Sequence, residues 1–218
     1  MNSVVNNLSI YAISDLHLSF KNSKPMDIFG ETWKEHENKI KEDWEANVQS
    51  EDLVLLPGDF SWATYLEDTY PDFEYLNRLP GKKILLKGNH DYWWTTITRM
   101  RKYMQDNNFE GIDFLYNNSY FYEDHIIVGT RGWSALEDGD TEKMIKREAS
   151  RLELSFKDGI SKYGENKPII VCMHYPPMKE FLEGMYIWPF TWNTARRSSR
   201  RNGKWCEYKN GKLRLFGF

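Results

Sequence analysis

Short apolar segments rich in β-branched residues alternate with longer segments of helical spacing along most of the chain. The apolar segments predict strands at residues 8–14, 52–59, 82–88, 112–116, 125–130 and 167–174. The segments between them predict helices at residues 31–49, 65–77, 95–105 and 141–157. The polar stretch between the fourth and fifth strands indicates a hairpin-like connection, and Thr95 or Thr96 is the candidate cap of the third helix. Alternation of strands and helices predicts an α/β layered domain.

The pattern changes after Pro177. Residues 178–218 contain three tryptophans and the basic cluster ARRSSRR at 195–201, without clear apolar periodicity. We therefore predict a first domain over residues 1–177 and interpret residues 178–218 as an aberrant basic tail that does not continue its pattern.

The composition suits one medium-sized domain with a substantial core. Of the 218 residues, 40% are hydrophobic and 16% are aromatic, which excludes global disorder. The net charge of −3 gives no basis for a nucleic-acid-binding protein, except that nucleic acid remains a possible substrate. Two cysteines make no disulfide framework, and Cys172 lies in an apolar run that predicts a buried free thiol. Without a signal-like N-terminus or an apolar run long enough to cross a bilayer, we expect a soluble cytoplasmic protein.

Polar side chains follow four of the predicted buried strands at the point where each strand ends. They are Asp15 and His17 in SDLHL, Asp59 in PGDFSW, Asn89, His90 and Asp91 in GNHD, and His174 in MHYPP. Each short motif alone is common in ordinary turns, but the repeated placement favours a shared site. The carboxyl ends of strands in an α/β sheet are where ligand sites form, so these residues predict a pocket of nitrogen and oxygen ligands. Such a pocket suits divalent Mn, Fe or Zn.

This order of motifs resembles the calcineurin-like metallophosphoesterase family over residues 8–177, with GNHD as the most specific element. The stretch GTRGW at 129–133 is similar to bacterial members whose substrate is uncertain. The resemblance implies a sandwich of two β-sheets flanked by helices. It also implies a two-metal hydrolase that cleaves a phosphomonoester or phosphodiester with a metal-activated water.

The resemblance implies a role for each of the seven polar residues. The first metal is bound by Asp15 and His17, the bridging ligand is Asp59, and the second metal is bound by Asn89 and His174. In the same scheme His90 stays off the metals and acts on the scissile phosphoester, as a general acid or as a charge-stabilising donor. Asp91 then orients the His90 ring.

One family motif is missing from this chain. The family pattern ends with G-H-x-H, whose histidines complete the two metal sites, whereas none of the five histidines here lies beyond His174. Each metal therefore lacks one expected ligand. This raises a second hypothesis, a catalytically impaired domain or binding module that keeps the fold and holds metal weakly.

A shift of reading frame offers an explanation for the missing motif. The stretch WPFTW at 188–192 can be encoded by TGG CCA TTT ACA TGG. Read one base later and continued into an Asn193 codon, the same bases give Gly-His-Leu-His-Gly. We interpret the tail as the frame-shifted remainder of the same domain, which requires proline and threonine codons ending in A.

The tail also has a second interpretation, as a basic element that contacts nucleic acid. That interpretation rests on Arg196, Arg197, Arg200 and Arg201 together with Trp188, Trp192 and Trp205. Four arginines in an otherwise balanced chain are thin support for it.

Four further residues near the motifs have open interpretations. The indoles of Trp62, Trp93 and Trp94 follow candidate ligands and either line a pocket or pack in the core, and core packing is favoured. Arg131 in GTRGW either meets a phosphate or forms a structural ion pair. No role is assigned to His36 or His125.

Overall fold

The protein is described here by a computed structural model that covers residues 8–21, 24, 26–134, 141–176, 204–209 and 212–217. The strands within these ranges are β1 (Ile10–Ala12), β2 (Leu53–Leu56), β3 (Lys82–Leu85), β4 (Ile112–Phe114), β5 (Tyr120–Tyr122), β6 (His125–Thr130), β7 (Ile169–Met173), β8 (Lys204–Lys209) and β9 (Lys212–Gly217). The α-helices are α1 (His36–Asn47), α2 (Tyr70–Arg78), α3 (Ile97–Asp106) and α4 (Thr141–Tyr163).

The strands form two sheets flanked by helices, as the sequence predicted. The first sheet has the order β4-β3-β2-β1-β8-β9, in which β1 to β4 run parallel. The second has the order β5-β6-β7, with β6 and β7 parallel. All four residues of β2 are buried, as expected for a parallel strand covered on both faces. The carboxyl ends of β1, β2 and β3 consequently meet at one edge of the first sheet.

Two apolar clusters show how the layers pack. Val54 and Leu56 of β2 belong to the cluster that includes the buried helix residues Trp44 and Phe73. The alternate residues of the same strand belong to a second cluster with Ile127 and Cys172 of the other sheet. Burying each large apolar side chain contributes about 1.5–3 kcal/mol to stability. The two faces of β2 thus hold the helices and the second sheet in place.

The free thiol of Cys172 is buried, as predicted from its apolar surroundings in the sequence. Burial raises the pKa of this thiol to about 12. It therefore stays protonated at neutral pH and behaves as a small apolar side chain.

The first three helices begin later than their sequence patterns predicted, whereas α4 begins at Thr141 as predicted and continues to Tyr163. Short 3₁₀ segments, Glu31–Trp33 and Leu66–Thr69, precede α1 and α2. The helix α3 begins after Thr96, whose hydroxyl accepts a hydrogen bond from the Arg99 amide at 3.3 Å. This confirms one of the two predicted caps. No helix in the described ranges combines the length and apolar character needed to span a membrane.

The predicted hairpin differs from the observed one. The strand β6 pairs antiparallel with β5, whereas β4 lies in the first sheet beside β3. In β5 the rings of Tyr120 and Tyr122 are half-buried while Phe121 is 39% exposed, which is the alternation of a strand with one covered face. The polar residues on both sides of this three-residue strand hide it in the sequence.

Two strands lie in the segment for which the sequence predicted no regular structure. The strand β8 pairs antiparallel with β1, and β9 pairs antiparallel with β8. These twelve residues therefore extend the first sheet at its β1 side. The arginine cluster and the stretch WPFTW lie outside the described residues, so the frame-shift hypothesis and the domain boundary at Pro177 stay predictions.

Replacing Lys83 in β3 by methionine should stabilise the protein. This lysine is buried, with its ammonium donating a hydrogen bond to the Leu79 carbonyl, and burial lowers its pKa from 10.5 to about 8. A folded-state pKa below the unfolded one means that burying the charged form costs stability below pH 8. The cost falls as pH rises from about 8 to 10.5. We expect Lys83→Met to raise the free energy of unfolding by about 1–2 kcal/mol at pH 7, after the loss of the hydrogen bond.

Urea unfolding at pH 7 and pH 10 measures this effect. The increase in the free energy of unfolding caused by Lys83→Met should be smaller at pH 10 than at pH 7. The matched variant at the exposed neighbour, Lys82→Met, should change the free energy of unfolding by less than about 0.5 kcal/mol at both pH values. Equal behaviour of the two variants would show that the Lys83 ammonium is not destabilising.

Candidate metal centre

The loops that follow β1 and β2 run side by side and set the frame of the site. The Asp15 amide donates to the Gly58 carbonyl and the His17 amide donates to the Asp59 carbonyl, both at 3.0 Å. Asp15, His17 and Asp59 all adopt left-handed backbone conformations, with φ of 59°, 46° and 55°. Such conformations are uncommon outside glycine and cost about 1–3 kcal/mol each, and they concentrate at functional sites. Here they bring the three side chains into one space.

The carboxylate of Asp59 lies at the centre of the predicted ligands. Its Oδ2 atom is 3.7 Å from His17 Nε2 and 3.6 Å from His174 Nε2. The same His17 nitrogen is 3.8 Å from Asp15 Oδ1. Ligand atoms of Asp15, His17 and Asp59 all lie within 4.8 Å of one another, close enough to hold a metal ion together. One carboxylate oxygen facing two imidazole nitrogens is the arrangement that a bridging ligand needs.

The two ring nitrogens of His174 have different surroundings. Its Nδ1 lies 2.8 Å from the Pro57 carbonyl, a contact that holds the ring proton at Nδ1. Its Nε2 then faces two oxygens, Asn89 Oδ1 at 2.7 Å and Asp59 Oδ2 at 3.6 Å. With the ring proton at Nδ1, the lone pair of Nε2 is available to a metal ion. His174, Asn89 and Asp59 therefore fit a second metal position. The bond from His174 Nδ1 to the Pro57 carbonyl is the kind of contact that orients metal-binding histidines.

The electrostatics of His17 also suit metal binding. The pKa of His17 is lowered to about 4, mainly by burial; the charge of Asp15 opposes this shift, and the nearby His90, His174 and His36 add to it. The ring is therefore neutral at pH 7, which is the form that binds metals.

Two glycines allow the second and third strand ends to approach each other. A Cβ atom on Gly88 would lie 2.1 Å from Asp59 Oδ1, and one on Gly58 would lie 2.6 Å from the Gly88 Cα. The His90 amide donates to Asp59 Oδ1 at 2.9 Å, leaving Oδ2 to face the two imidazoles. Any side chain in place of Gly58 or Gly88 would clash with the neighbouring loop. The backbone of GNHD also orients the Asp59 carboxylate.

The side chain of Asp91 has a different place from the one predicted. It is fully buried, and burial together with the Asp59 charge raises its pKa, opposed by hydrogen bonds from backbone amides. Its carboxylate accepts hydrogen bonds from the amides of Asp59, Phe60, Ser61 and Gly88 and from the indole of Trp93. Among the described residues no hydrogen bond joins Asp91 to the His90 ring. This geometry supports an anchor for the loop after β2 and does not support the orienting role.

The ring of His90 lies beside the predicted ligands without contacting them closely. Its centroid is 5.8 Å from that of His17, and the ring is half-buried. Its Nδ1 has no hydrogen-bond partner within the described part of the chain. The ring is thus held next to the proposed metal ligands by its contacts with His17 and Trp62.

Comparison with known proteins decides the family. The family model for calcineurin-like phosphoesterases matches residues 8–217 of this chain. The chain belongs to the calcineurin-like phosphoesterase family. A comparison with curated proteins gives no match.

One solved structure shows the same fold, and two others are less similar to this chain. One solved structure superposes with a TM-score of 0.52 at 12% identity, over 96% of this chain and 98% of its own. A protein of unknown function from Aquifex aeolicus has a TM-score of 0.44 at 22% identity, covering 82% of this chain and 94% of its own. Phosphopantetheinyl hydrolase from Mycobacterium tuberculosis has a TM-score of 0.42 at 14% identity, covering 97% of this chain and 88% of its own.

Within this phosphoesterase fold the three tryptophans divide between core and site. Trp93 is buried and Trp94 packs against the same apolar cluster, as favoured from the sequence. Trp62 instead lies at the site, with its ring 4.7 Å from that of His17 and 4.8 Å from that of His90. The Lys24 ammonium lies 4.0 Å from the Trp62 ring centroid. The signal in the sequence was the position of Trp62, three residues after Asp59. The prediction that favoured core packing was wrong for Trp62.

Proposed function

We propose that this chain is a binuclear metal-dependent phosphoesterase that hydrolyses a phosphomonoester or phosphodiester. The observation that carries the proposal is the position of Asp59 Oδ2 between His17 Nε2 and His174 Nε2. In this proposal Asp15, His17 and Asp59 hold one divalent ion, Mn, Fe or Zn, and Asp59, Asn89 and His174 hold the other. When bound, the two ions neutralise phosphate charge and activate a water.

The protein residues supply orientation and a proton donor. The His90 amide donates a hydrogen bond to Asp59 Oδ1, and the His90 ring lies beside His17 and Trp62. We assign the ring to donate a hydrogen bond or a proton to the leaving oxygen of the phosphoester. Asp91 accepts hydrogen bonds from the amides of Asp59 and Gly88 and so holds together the loops that carry Asp59 and His90.

The missing G-H-x-H histidines are compatible with this function. Each proposed ion keeps three protein ligands, and three protein ligands with an open position is the usual arrangement of a catalytic site. The absence of any histidine beyond His174 favours one alternative, a domain that keeps the fold and binds metal too weakly to catalyse. The two candidates differ in metal content and in turnover.

Hydrolysis of 4-nitrophenyl phosphate and bis(4-nitrophenyl) phosphate, with manganese and with EDTA, tests the proposal. We expect activity with manganese only, and we expect His90→Ala to lower kcat by about 10²–10⁴-fold without changing the metal content. The matched control is His125→Ala at the start of β6, away from the proposed ligands, which should keep full activity. Activity that persists in EDTA, or a His90→Ala variant as active as the parent, would contradict the assignment. Metal binding without turnover would favour the impaired alternative.

A further inference from the structure

Positive charge gathers at the second-sheet side of the proposed metal centre. Lys87 lies two residues before Asn89, and Arg131 follows β6 directly. The Arg131 carbonyl accepts a hydrogen bond from the Tyr175 amide at 2.9 Å, so its loop runs beside the one that carries His174. Both cations therefore belong to loops that border proposed ligands of the second metal.

A buried carboxylate on α4 is committed to other partners. Glu148 on α4 accepts a hydrogen bond from Thr130 Oγ1 at 2.7 Å and one from Arg151 at 2.6 Å, and Arg147 lies 3.6 Å from it. In the described ranges neither Lys87 nor Arg131 forms an ion pair with a carboxylate. This side of the site thus carries two cations without an ion pair in the described ranges. Burial lowers the pKa of Lys87, and of the described carboxylates the buried Asp91 opposes this shift without pairing with the ammonium.

Two buried N–H donors in the loop after β6 lack hydrogen-bond acceptors among the described residues. Arg131 Nε and Trp133 Nε1 are both buried without a hydrogen-bond partner among the residues described. The Arg131 guanidinium carbon lies 4.8 Å from the centre of the Trp133 ring, a cation–π contact that leaves the in-plane N–H groups unused. Buried donors without acceptors are unfavourable, so a bound acceptor at this position would be stabilised.

We propose that Arg131, Lys87 and the Trp133 indole form a subsite for a second phosphate group of the substrate. The guanidinium offers the paired N–H donors that match two phosphate oxygens, the ammonium adds a charge, and the indole adds a neutral donor. The inference rests on the proposed function, because the first phosphate is the one cleaved at Asp59. It names the substrate class as phosphoesters that carry another phosphate on the part that is not cleaved.

Binding of inorganic phosphate to the metal-free full chain tests the subsite without any turnover. Isothermal titration at pH 8 in EDTA should detect binding that Arg131→Met weakens by at least about 10-fold, with Lys87→Met weaker than the parent and Arg131→Lys intermediate. The matched control is Arg99→Met, which removes an exposed arginine of α3 that is paired with Glu67. Circular dichroism checks that each variant is folded. Equal phosphate affinity in the parent and in Arg131→Met would overturn the subsite.

A substrate pair separates this inference from the proposed function. We expect the parent chain with manganese to favour propane-1,3-diyl bisphosphate over propyl phosphate in kcat/KM. Arg131→Met should lower that preference by at least about 10-fold. If neither compound is hydrolysed, the proposed function fails, and the titration still decides the subsite. A preference that survives Arg131→Met would contradict it.

Discussion

Replacing Asp59 by asparagine should abolish metal-dependent hydrolysis, with a loss of at least about 10³-fold in kcat/KM. Asp59 Oδ2 faces His17 Nε2 and His174 Nε2 at nearly equal distances, 3.7 and 3.6 Å. Two divalent ions close together repel each other strongly, and a shared carboxylate is the group that offsets this repulsion. An amide keeps the shape of that group and loses its charge, so both metal positions should weaken together.

The metal-free fold should survive this substitution. The Asp59 charge raises the pKa of the neighbouring buried Asp91, so the two carboxylates repel each other without metal. Removing one charge should leave the free energy of unfolding of the metal-free chain unchanged or up to about 1 kcal/mol higher. The control is Asp52→Asn at the other end of β2, where the carboxylate accepts hydrogen bonds from Ser9 and Gln49 amides at 2.8 Å. That variant should lose stability and keep its metals.

Elemental analysis and assays of the two variants check the first prediction. An Asp59→Asn protein that keeps its full metal content and activity would contradict the bridging role. An Asp52→Asn protein that loses metal as completely as Asp59→Asn would show that general destabilisation is the cause.

Replacing Asp91 by asparagine should have the largest effect on stability, a loss of about 3–4 kcal/mol. Its carboxylate accepts four backbone amides and one indole, all of which need an acceptor. An asparagine side chain directs an NH₂ group at some of these donors, which leaves buried N–H groups unpaired. The Asp59 loop should then detach from the GNHD loop.

Urea unfolding of the metal-free proteins measures this loss, and the pH dependence of kcat separates two roles for Asp91. If the residue anchors the loop, the variant loses stability and the remaining folded fraction keeps the shape of the pH profile. Unchanged stability with a displaced profile would instead support the orienting role that the sequence resemblance implied.

The sequence predicted which polar residues meet at the candidate site because two simple rules combine there. Continuous apolar runs identify β1, β2 and β3 as buried parallel strands, and parallel strands end at the same edge of a sheet. Polar residues directly after those runs, such as Asp15 and Asn89, must then lie near one another. The sequence pattern does not reveal the left-handed backbone conformation of Asp59 or the position of its carboxylate between His17 and His174.

The role of Asp91 shows where adjacency in sequence misleads. The residue follows His90 directly, which suggested a contact between the two side chains. The GNHD segment turns, with the Tyr92 amide donating to the His90 carbonyl at 2.8 Å. The carboxylate points to amides about thirty residues earlier in the chain, a partner set that is visible only once β2 and β3 are paired.

The strands that the sequence missed depend on distant pairing. The strand β5 has three residues and lies in a polar segment, β8 has a lysine at each end, and β9 begins with Lys212. No short window carries a strong signal for such segments, because their hydrogen-bond partners come from β6 and from β1. The described site residues nevertheless come from strands and loops that the pattern did identify.

The metal content of the 218-residue chain tests the account most directly. The chain would be stripped with EDTA, reconstituted with excess manganese, desalted and analysed for manganese and protein. We expect a ratio of about two ions per chain, one on each side of Asp59. A ratio near zero would contradict the proposed binuclear centre and would leave a calcineurin-like fold that no longer holds its metals.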